Sequence, residues 1–132
     1  MSKSILRTLV ILVNVLVLSG CFSSEPTGAV ITDVDCNTTT PPANTRIVRI
    51  RNFAFEPSEL RVGAGTRIVW INCESSAGGG FAHTSTANNG AWDSPLLTSQ
   101  GEGKFEFTTG QLGTFNYFCE PHPGMIGRVI VE

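Results

Sequence analysis

The stretch CEPHPGMIG, near the end of the chain, places three metal-binding side chains within seven positions. Cys119 and His122 are three residues apart, and Met125 follows three residues later. A thiolate and an imidazole at this spacing can face one point from a tight loop, and a thioether can return to the same point. Pro121 and Pro123 fix φ near −65° and remove two backbone donors, so we expect a stiff loop. Cys and Met ligands together favour a soft ion, especially copper.

The rest of the chain contains one further candidate ligand and few other residues that could compete for the metal. The chain has two histidines, and the second is His83; of its two methionines, one is the initiator. Zinc is an alternative ion, although a thioether is a poor zinc ligand. A nucleophilic pair of Cys119 and His122 is another alternative, but it leaves Met125 without a role. With both histidines used as ligands, none remains as a general base, so we predict that the protein is not an enzyme.

The elements that position these residues are predicted to be β-strands. From Arg46 onward apolar residues recur with a period of two, as where Val48 and Ile50 alternate with arginines. Glycine-rich turns separate these runs, and no segment shows an amphipathic helical pattern. The pattern predicts an all-β domain, a sandwich or a barrel, over residues 46–132.

The first twenty residues read as an export signal. Lys3 and Arg7 precede an apolar run that is too short to span a bilayer comfortably, although a membrane anchor is the alternative. Residues 18–21, Leu-Ser-Gly-Cys, resemble the lipobox of bacterial lipoproteins, which implies cleavage after residue 20 and a lipid on Cys21. The alternative is a plain cleavage site followed by a stray cysteine. We expect the lipid to anchor the protein to a bacterial membrane, with the domain facing the periplasm or the cell exterior.

The remaining cysteines predict one disulfide. With Cys21 assigned to lipid and Cys119 to metal, Cys36 and Cys73 are left, and an exported protein can keep a disulfide. Two free thiols are the alternative. Residues 21–45 are rich in Ser, Thr and Pro and are predicted to form a tether, partly ordered if Cys36 is bonded.

The charge balance excludes one class of partner. Loss of Lys3 and Arg7 leaves seven basic and eleven acidic residues, a net charge of −4. Because no basic patch is present, we expect no nucleic-acid binding.

Four stretches carry a resemblance to a known family. They are NFAFEP at 52–57 followed by LRV at 60–62, IVWIN at 68–72, HT at 83–84 with WDS at 92–94, and FNYFCEPHPGM at 115–125. Together they resemble the cupredoxins, the type 1 blue copper proteins of the plastocyanin, pseudoazurin and amicyanin group. The last stretch is most similar to the ligand loop of amicyanin. The resemblance implies a Greek-key β-sandwich of about seven to eight strands that binds one copper ion.

At matching positions the resemblance implies a full ligand set: His83, Cys119 and His122 as strong equatorial ligands, and Met125 as a weak axial one. Thr84 departs from the family pattern, which commonly has an asparagine that helps to hold the ligand loops together. Its hydroxyl is a candidate for the same task.

Such a site predicts electron transfer by cycling between Cu(I) and Cu(II), because a rigid compromise geometry keeps reorganisation small. A copper-binding protein for delivery or storage of the ion, and a copper-free structural module, are the alternatives. The expected partners are redox proteins, with no small-molecule substrate. His122 is expected to reach the surface, where Pro121, Pro123 and Met125 form part of an apolar patch for transient docking.

Overall fold

The computed structural model describes residues 33–75, 80–99 and 103–132. Its eight strands are β1 (Thr45–Arg51), β2 (Ala54–Glu56), β3 (Glu59–Val62), β4 (Arg67–Asn72), β5 (Thr86–Ala87), β6 (Lys104–Thr108), β7 (Gly113–Phe118) and β8 (Ile126–Val131). The predicted all-β class and strand number are confirmed. Across these three ranges, no helix is long and apolar enough to cross a membrane. The predicted signal at 1–20 and the lipidated Cys21 lie outside the described residues.

The strands form two four-stranded sheets, with orders β2-β1-β4-β6 and β3-β8-β7-β5. From β2 to β7, each successive strand lies in the sheet opposite the one before it. The pairs β1–β4 and β3–β8 are parallel, and the other neighbours are antiparallel. This alternation makes a sandwich in which the inner faces of both sheets meet.

The core between the sheets is built from alternate residues of the central strands, as period two requires. It includes Val48, Ile50, Ile68 and Trp70 from the first sheet, and Phe115, Tyr117, Val129 and Val131 from the second. Cys119 and Met125 belong to the same buried cluster. The predicted ligand loop is therefore continuous with the core between the sheets.

The first sheet is also covered on its outer face. Val34, Ile47, Val69 and Ile71 form a second buried cluster, against which Cys36 and Cys73 pack. These two cysteines form a disulfide, with their Cα atoms 5.7 Å apart, so the predicted pairing is confirmed.

Residues 33–44, which the sequence analysis assigns to the tether, lie against this outer face. Arg49 and Arg51 donate to the carbonyl oxygen of Cys36 at 3.1 and 3.0 Å, and Arg67 pairs with Asp33 at 2.6 Å. The segment is fixed by burial, arginine hydrogen bonds and a covalent link. Residues 33–44 are thus part of the folded domain although they precede the first strand.

The turn between β1 and β2 brings an aromatic side chain to the end of the sandwich that carries His83. Asn52 and Phe53 form its two central positions, with φ of 50° and 56°. A type I′ hairpin turn needs positive φ at both positions, and glycine is usual at the second. Phenylalanine is unfavourable there because its Cβ crowds the backbone.

Candidate metal centre

Cys119 follows β7 directly and begins the ligand loop. Its backbone N–H donates to the carbonyl of Met125 at 3.1 Å. Inside the loop, the N–H of His122 donates to the carbonyl of Cys119 at 3.2 Å, and the N–H of Met125 donates to the carbonyl of His122 at 2.8 Å. Backbone hydrogen bonds therefore connect the three predicted ligands to one another. Pro121 and Pro123, which lie between them, restrict the backbone further because φ of proline is fixed.

His83 lies on the other ligand-bearing segment, between β4 and β5. It exchanges two backbone hydrogen bonds with Leu97, at 3.0 and 2.8 Å. The fully buried amide of Asn72 donates to the carbonyls of Phe81 and Leu97 at 2.7 and 2.8 Å. Asn72, at the end of β4, thus bonds both backbone segments that position His83: the one that contains His83 itself and the one that contains Leu97.

The structure brings three predicted ligands together. Cys119 Sγ lies 3.6 Å from His83 Nδ1 and 3.6 Å from His122 Nδ1. The ligand atoms of the three residues all lie within 4.8 Å of one another. Metal bonds of about 2.0 Å to nitrogen and about 2.3 Å to sulfur, at 120° to each other, separate the two donor atoms by about 3.7 Å. The observed spacing fits one ion held by all three groups, and the thiolate and imidazoles suit copper.

Met125 is buried, at 4% exposure, in the same cluster as Cys119. Its role as the weak fourth ligand stays a prediction. This burial means that the predicted exposed patch does not contain Met125, and that expectation is wrong. The loop hydrogen bonds turn the backbone at Met125 back toward Cys119, so its side chain enters the core while Pro121 and Pro123 stay exposed.

Thr84 links the two ligand-bearing segments. Its backbone N–H points to Cys119 Sγ at 3.3 Å, and its hydroxyl accepts from the N–H of Glu120 at 2.8 Å. The hydroxyl therefore links the two ligand-bearing segments by a hydrogen bond, as the sequence analysis expected. A backbone donor at sulfur also stabilises negative charge there and helps to set the potential of a bound metal.

Electrostatics favour the metal-binding form of His83. The side chain is fully buried, and burial lowers its pKa below the usual 6.5. The neighbouring His122 lowers the pKa further, while Glu74 opposes the shift. The neutral imidazole is the form that coordinates a metal ion, so the site does not have to remove a proton from His83 near neutral pH.

Aromatic rings cover the two histidines. The Phe53 ring centre lies 4.9 Å from that of His122 and 5.5 Å from that of His83, both edge-on, and 4.6 Å from that of Phe81. Phe53 and Phe81 are 42% and 47% exposed. Sequence reasoning did not give Phe53 or Glu74 a role at the site. An aromatic residue in a two-residue turn, and a carboxylate two positions after the end of a buried strand, were the available signals.

Comparison with known proteins agrees with this geometry. Residues 44–132 match the model of a family described as copper binding proteins, plastocyanin/azurin family. Amicyanin-alpha of Methylorubrum extorquens is 31% identical over 91 residues, which cover 69% of this chain and 75% of the relative. Amicyanin of Paracoccus denitrificans is 31% identical over 86 residues, covering 65% of this chain and 64% of the relative.

Comparison with solved structures also finds similarity to amicyanin. A reduced Cu(I) form of an amicyanin variant superposes with a TM-score of 0.58 at 30% identity. The match covers 67% of this chain and 82% of that structure. Fold, donor spacing and sequence comparison thus agree, and the chain belongs to the plastocyanin/azurin family of copper-binding proteins.

Proposed function

We propose that the protein is an electron carrier with one type 1 copper ion held by four residues: His83, Cys119, His122 and Met125. The observation that carries the proposal is the pair of 3.6 Å distances from one buried thiol sulfur to the Nδ1 atoms of two histidines. When bound, copper supplies one-electron exchange between Cu(I) and Cu(II). The chain's own task is to hold the donor atoms in place and to exclude water from them.

The burial of the site favours a carrier over a protein that delivers copper. His83 and Cys119 are fully buried, and Met125 is nearly so. Release of the ion requires the ligand loop or the covering aromatic residues to move, and the backbone bonds within the loop oppose that movement. We therefore expect slow exchange of copper with a chelator, whereas a delivery protein exchanges its ion readily.

The direct test is addition of Cu(II) to the purified, reduced domain. We expect an intense blue colour from charge transfer between the Cys119 thiolate and copper, at one ion per chain, and a reversible one-electron reduction. Cys119→Ser removes the sulfur and is expected to abolish the colour. A colourless wild-type protein, with Cys119 shown to be reduced, contradicts the proposal.

We further propose that electrons enter and leave at the partly exposed edge of His122. Exposed Phe53, Phe81, Pro121 and Pro123 provide apolar surface at this end, which suits weak and transient docking to a redox protein. Pro123→Glu places a charge in this surface and is expected to slow electron transfer to a partner. The copper spectrum, which reports the ligands, is expected to stay the same. Unchanged transfer kinetics contradict the docking assignment.

We propose that the chain acts outside the cytoplasm on a lipid anchor, with a signal at 1–20, the lipidated Cys21 and tether at 21–45, and the copper domain at 46–132. The part of the tether segment from residue 33 onward packs on the copper domain. The Cys36–Cys73 disulfide supports an oxidising compartment. Cys21→Ala is expected to release the protein from the membrane fraction and to prevent incorporation of labelled fatty acid. A variant that stays membrane-bound contradicts the anchor.

A further inference from the structure

Glu74 is a carboxylate with little access to solvent beside the first histidine. It directly follows Cys73 of the disulfide, and its side chain is 9% exposed. Its Oε1 accepts from the backbone N–H of Phe53 at 2.8 Å and lies 3.4 Å from His83 Nε2. One oxygen atom thus faces both the strained aromatic turn and the imidazole.

The ring of His83 makes this contact significant. Nδ1 faces Cys119 Sγ, so Nε2 points away from the metal centre. Nε2 is fully buried and has no well-formed hydrogen bond in the described part of the chain, because its 3.4 Å contact with Glu74 Oε1 is longer than the usual range of about 2.7–3.2 Å. A buried N–H without an acceptor is unfavourable, and Glu74 Oε1 is an acceptor already in contact with Nε2.

The same carboxylate explains the conformation of Phe53. Its backbone at φ 56° is unfavourable for a large side chain and persists only where other contacts fix it. The N–H bond to Glu74 provides one such contact, and the ring packing on His83 and His122 provides others. The backbone of Glu74 is in turn held by its N–H bond to Asn72 Oδ1 at 3.0 Å.

We propose that Glu74 is a positioning residue of the metal centre, whose Oε1 fixes the proton of His83 on Nε2, leaves Nδ1 bare toward copper, and ties the Phe53 turn over both histidines. The proposal rests on the proposed copper function, because Glu74 positions His83 for a bound copper ion. The Glu74 contact itself exists without the ion. An acceptor on the distal nitrogen orients a ligating imidazole and strengthens it as a donor, so the loss of that acceptor weakens metal retention.

Two substitutions separate the acceptor from its charge. Glu74→Gln keeps an oxygen where Oε1 lies, whereas Glu74→Leu removes the acceptor. Nitrogen NMR of the His83 ring in copper-free protein reports which nitrogen carries the proton. We expect Nε2–H in wild type and in Glu74→Gln, with faster solvent exchange of this proton in Glu74→Gln because a neutral acceptor bonds less strongly. We expect mixed tautomers in Glu74→Leu.

Loss of Cu(I) to an excess of chelator provides the second measurement. We expect it to be about tenfold or more faster in Glu74→Leu and close to wild type in Glu74→Gln. Glu56→Leu is the matched control, because it removes an exposed carboxylate on β2, outside both ligand-bearing segments, and its rate is expected to match wild type.

Two results overturn the proposal. One is wild-type, copper-free protein whose His83 carries its proton on Nδ1. The other is a folded Glu74→Leu protein that keeps one tautomer and the wild-type rate of copper loss. If Glu74→Leu does not fold, unchanged Nε2–H exchange in Glu74→Gln overturns it instead. A wild-type protein that binds no copper contradicts the proposed function, while the tautomer still decides the role of Glu74.

Discussion

At the scale of single residues, Thr84 supports two separate contacts between the ligand-bearing segments. Its N–H reaches Cys119 Sγ, and its hydroxyl accepts from the N–H of Glu120. Only the second contact depends on the side chain. A substitution that removes the hydroxyl but keeps the shape therefore tests the inter-loop tie without removing the backbone donor to sulfur.

Thr84→Val is predicted to lower the free energy of unfolding by about 1–3 kcal/mol, because the Glu120 N–H loses its acceptor in a partly buried position. Urea unfolding of copper-free protein measures this loss. Thr84→Ser restores the hydroxyl and is expected to recover most of the stability. If Thr84→Val and Thr84→Ser unfold at the same urea concentration, the hydroxyl does not tie the loops.

Gly127 is required by its neighbour on the adjacent strand. It pairs with Tyr117 across β7 and β8, and a Cβ at position 127 would lie 2.2 Å from Cζ of the tyrosine ring. Tyr117 is 1% exposed and packs on Phe55 and Trp70, so these two rings oppose its displacement by a new side chain.

Gly127→Ala is predicted to destabilise the domain by about 1–3 kcal/mol, the usual cost of forcing extra volume into a packed core. Gly110→Ala is the control, since a Cβ there meets nothing within 4 Å. The two urea midpoints are compared in copper-free protein. Equal midpoints for both variants show that Tyr117 can move and that the close packing does not limit stability.

Residue identity made the candidate ligands predictable, whereas the residues that contact them depend on the fold. The chain has only two histidines, and Cys119 and His122 share a short loop, so few assignments were available. Glu74 and Phe53 are common residue types, 21 positions apart, and they meet only because β1 and β4 pair in parallel. No local pattern in the sequence contains that pairing.

At the scale of elements, β4 shows both what periodicity predicts and what it omits. The pattern placed Ile68 and Trp70 on one face and Val69 and Ile71 on the other, and both faces are buried. Two apolar faces indicate that something covers each side, but they do not identify the cover. On the outer side the cover includes Val34, which belongs to a segment whose composition is typical of a tether.

The disulfide is the element that holds this cover in place. The sequence separation of Cys36 and Cys73 is 37 residues. Closing such a loop restricts the unfolded chain and raises its free energy, through lost entropy, by about 4 kcal/mol at 25 °C. The same bond joins the N-terminal segment to the end of β4, beside Glu74. Its loss is therefore expected to affect both stability and the first ligand segment.

Replacement of both Cys36 and Cys73 by alanine is predicted to lower the free energy of unfolding by about 2–4 kcal/mol. Guanidinium unfolding measures the change, and wild type treated with a mild reductant is the comparison. Both proteins are expected to bind copper through the unchanged Cys119, but to lose it faster. Wild-type stability in the double variant contradicts a stabilising role for the bond.

At the scale of the whole molecule, the pH dependence of stability follows from groups whose pKa differs between folded and unfolded chains. Burial lowers the pKa of His83, so below pH 6.5 the unfolded chain binds a proton that the folded protein does not. Three carboxyl groups also have lowered pKa values, through hydrogen bonds from Arg67 to Asp33, from Thr38 to Asp35, and from Arg128 to Glu59. Their contributions are present at neutral pH and are lost only in more acidic solution, outside the histidine range.

Copper-free protein is therefore predicted to lose stability as the pH falls below about 6.5, by at most about 1.4 kcal/mol per pH unit for this one group. The sign follows because the folded pKa is the lower one. The stabilising contribution is complete above the unfolded value and disappears as pH falls through the folded value. Urea midpoints between about pH 7.5 and 5.5 measure the slope, and His83→Gln is expected to reduce it. If stability changes with pH equally in wild type and in His83→Gln, another group takes up the proton. The burial of neutral His83 is then not the cause of the pH dependence.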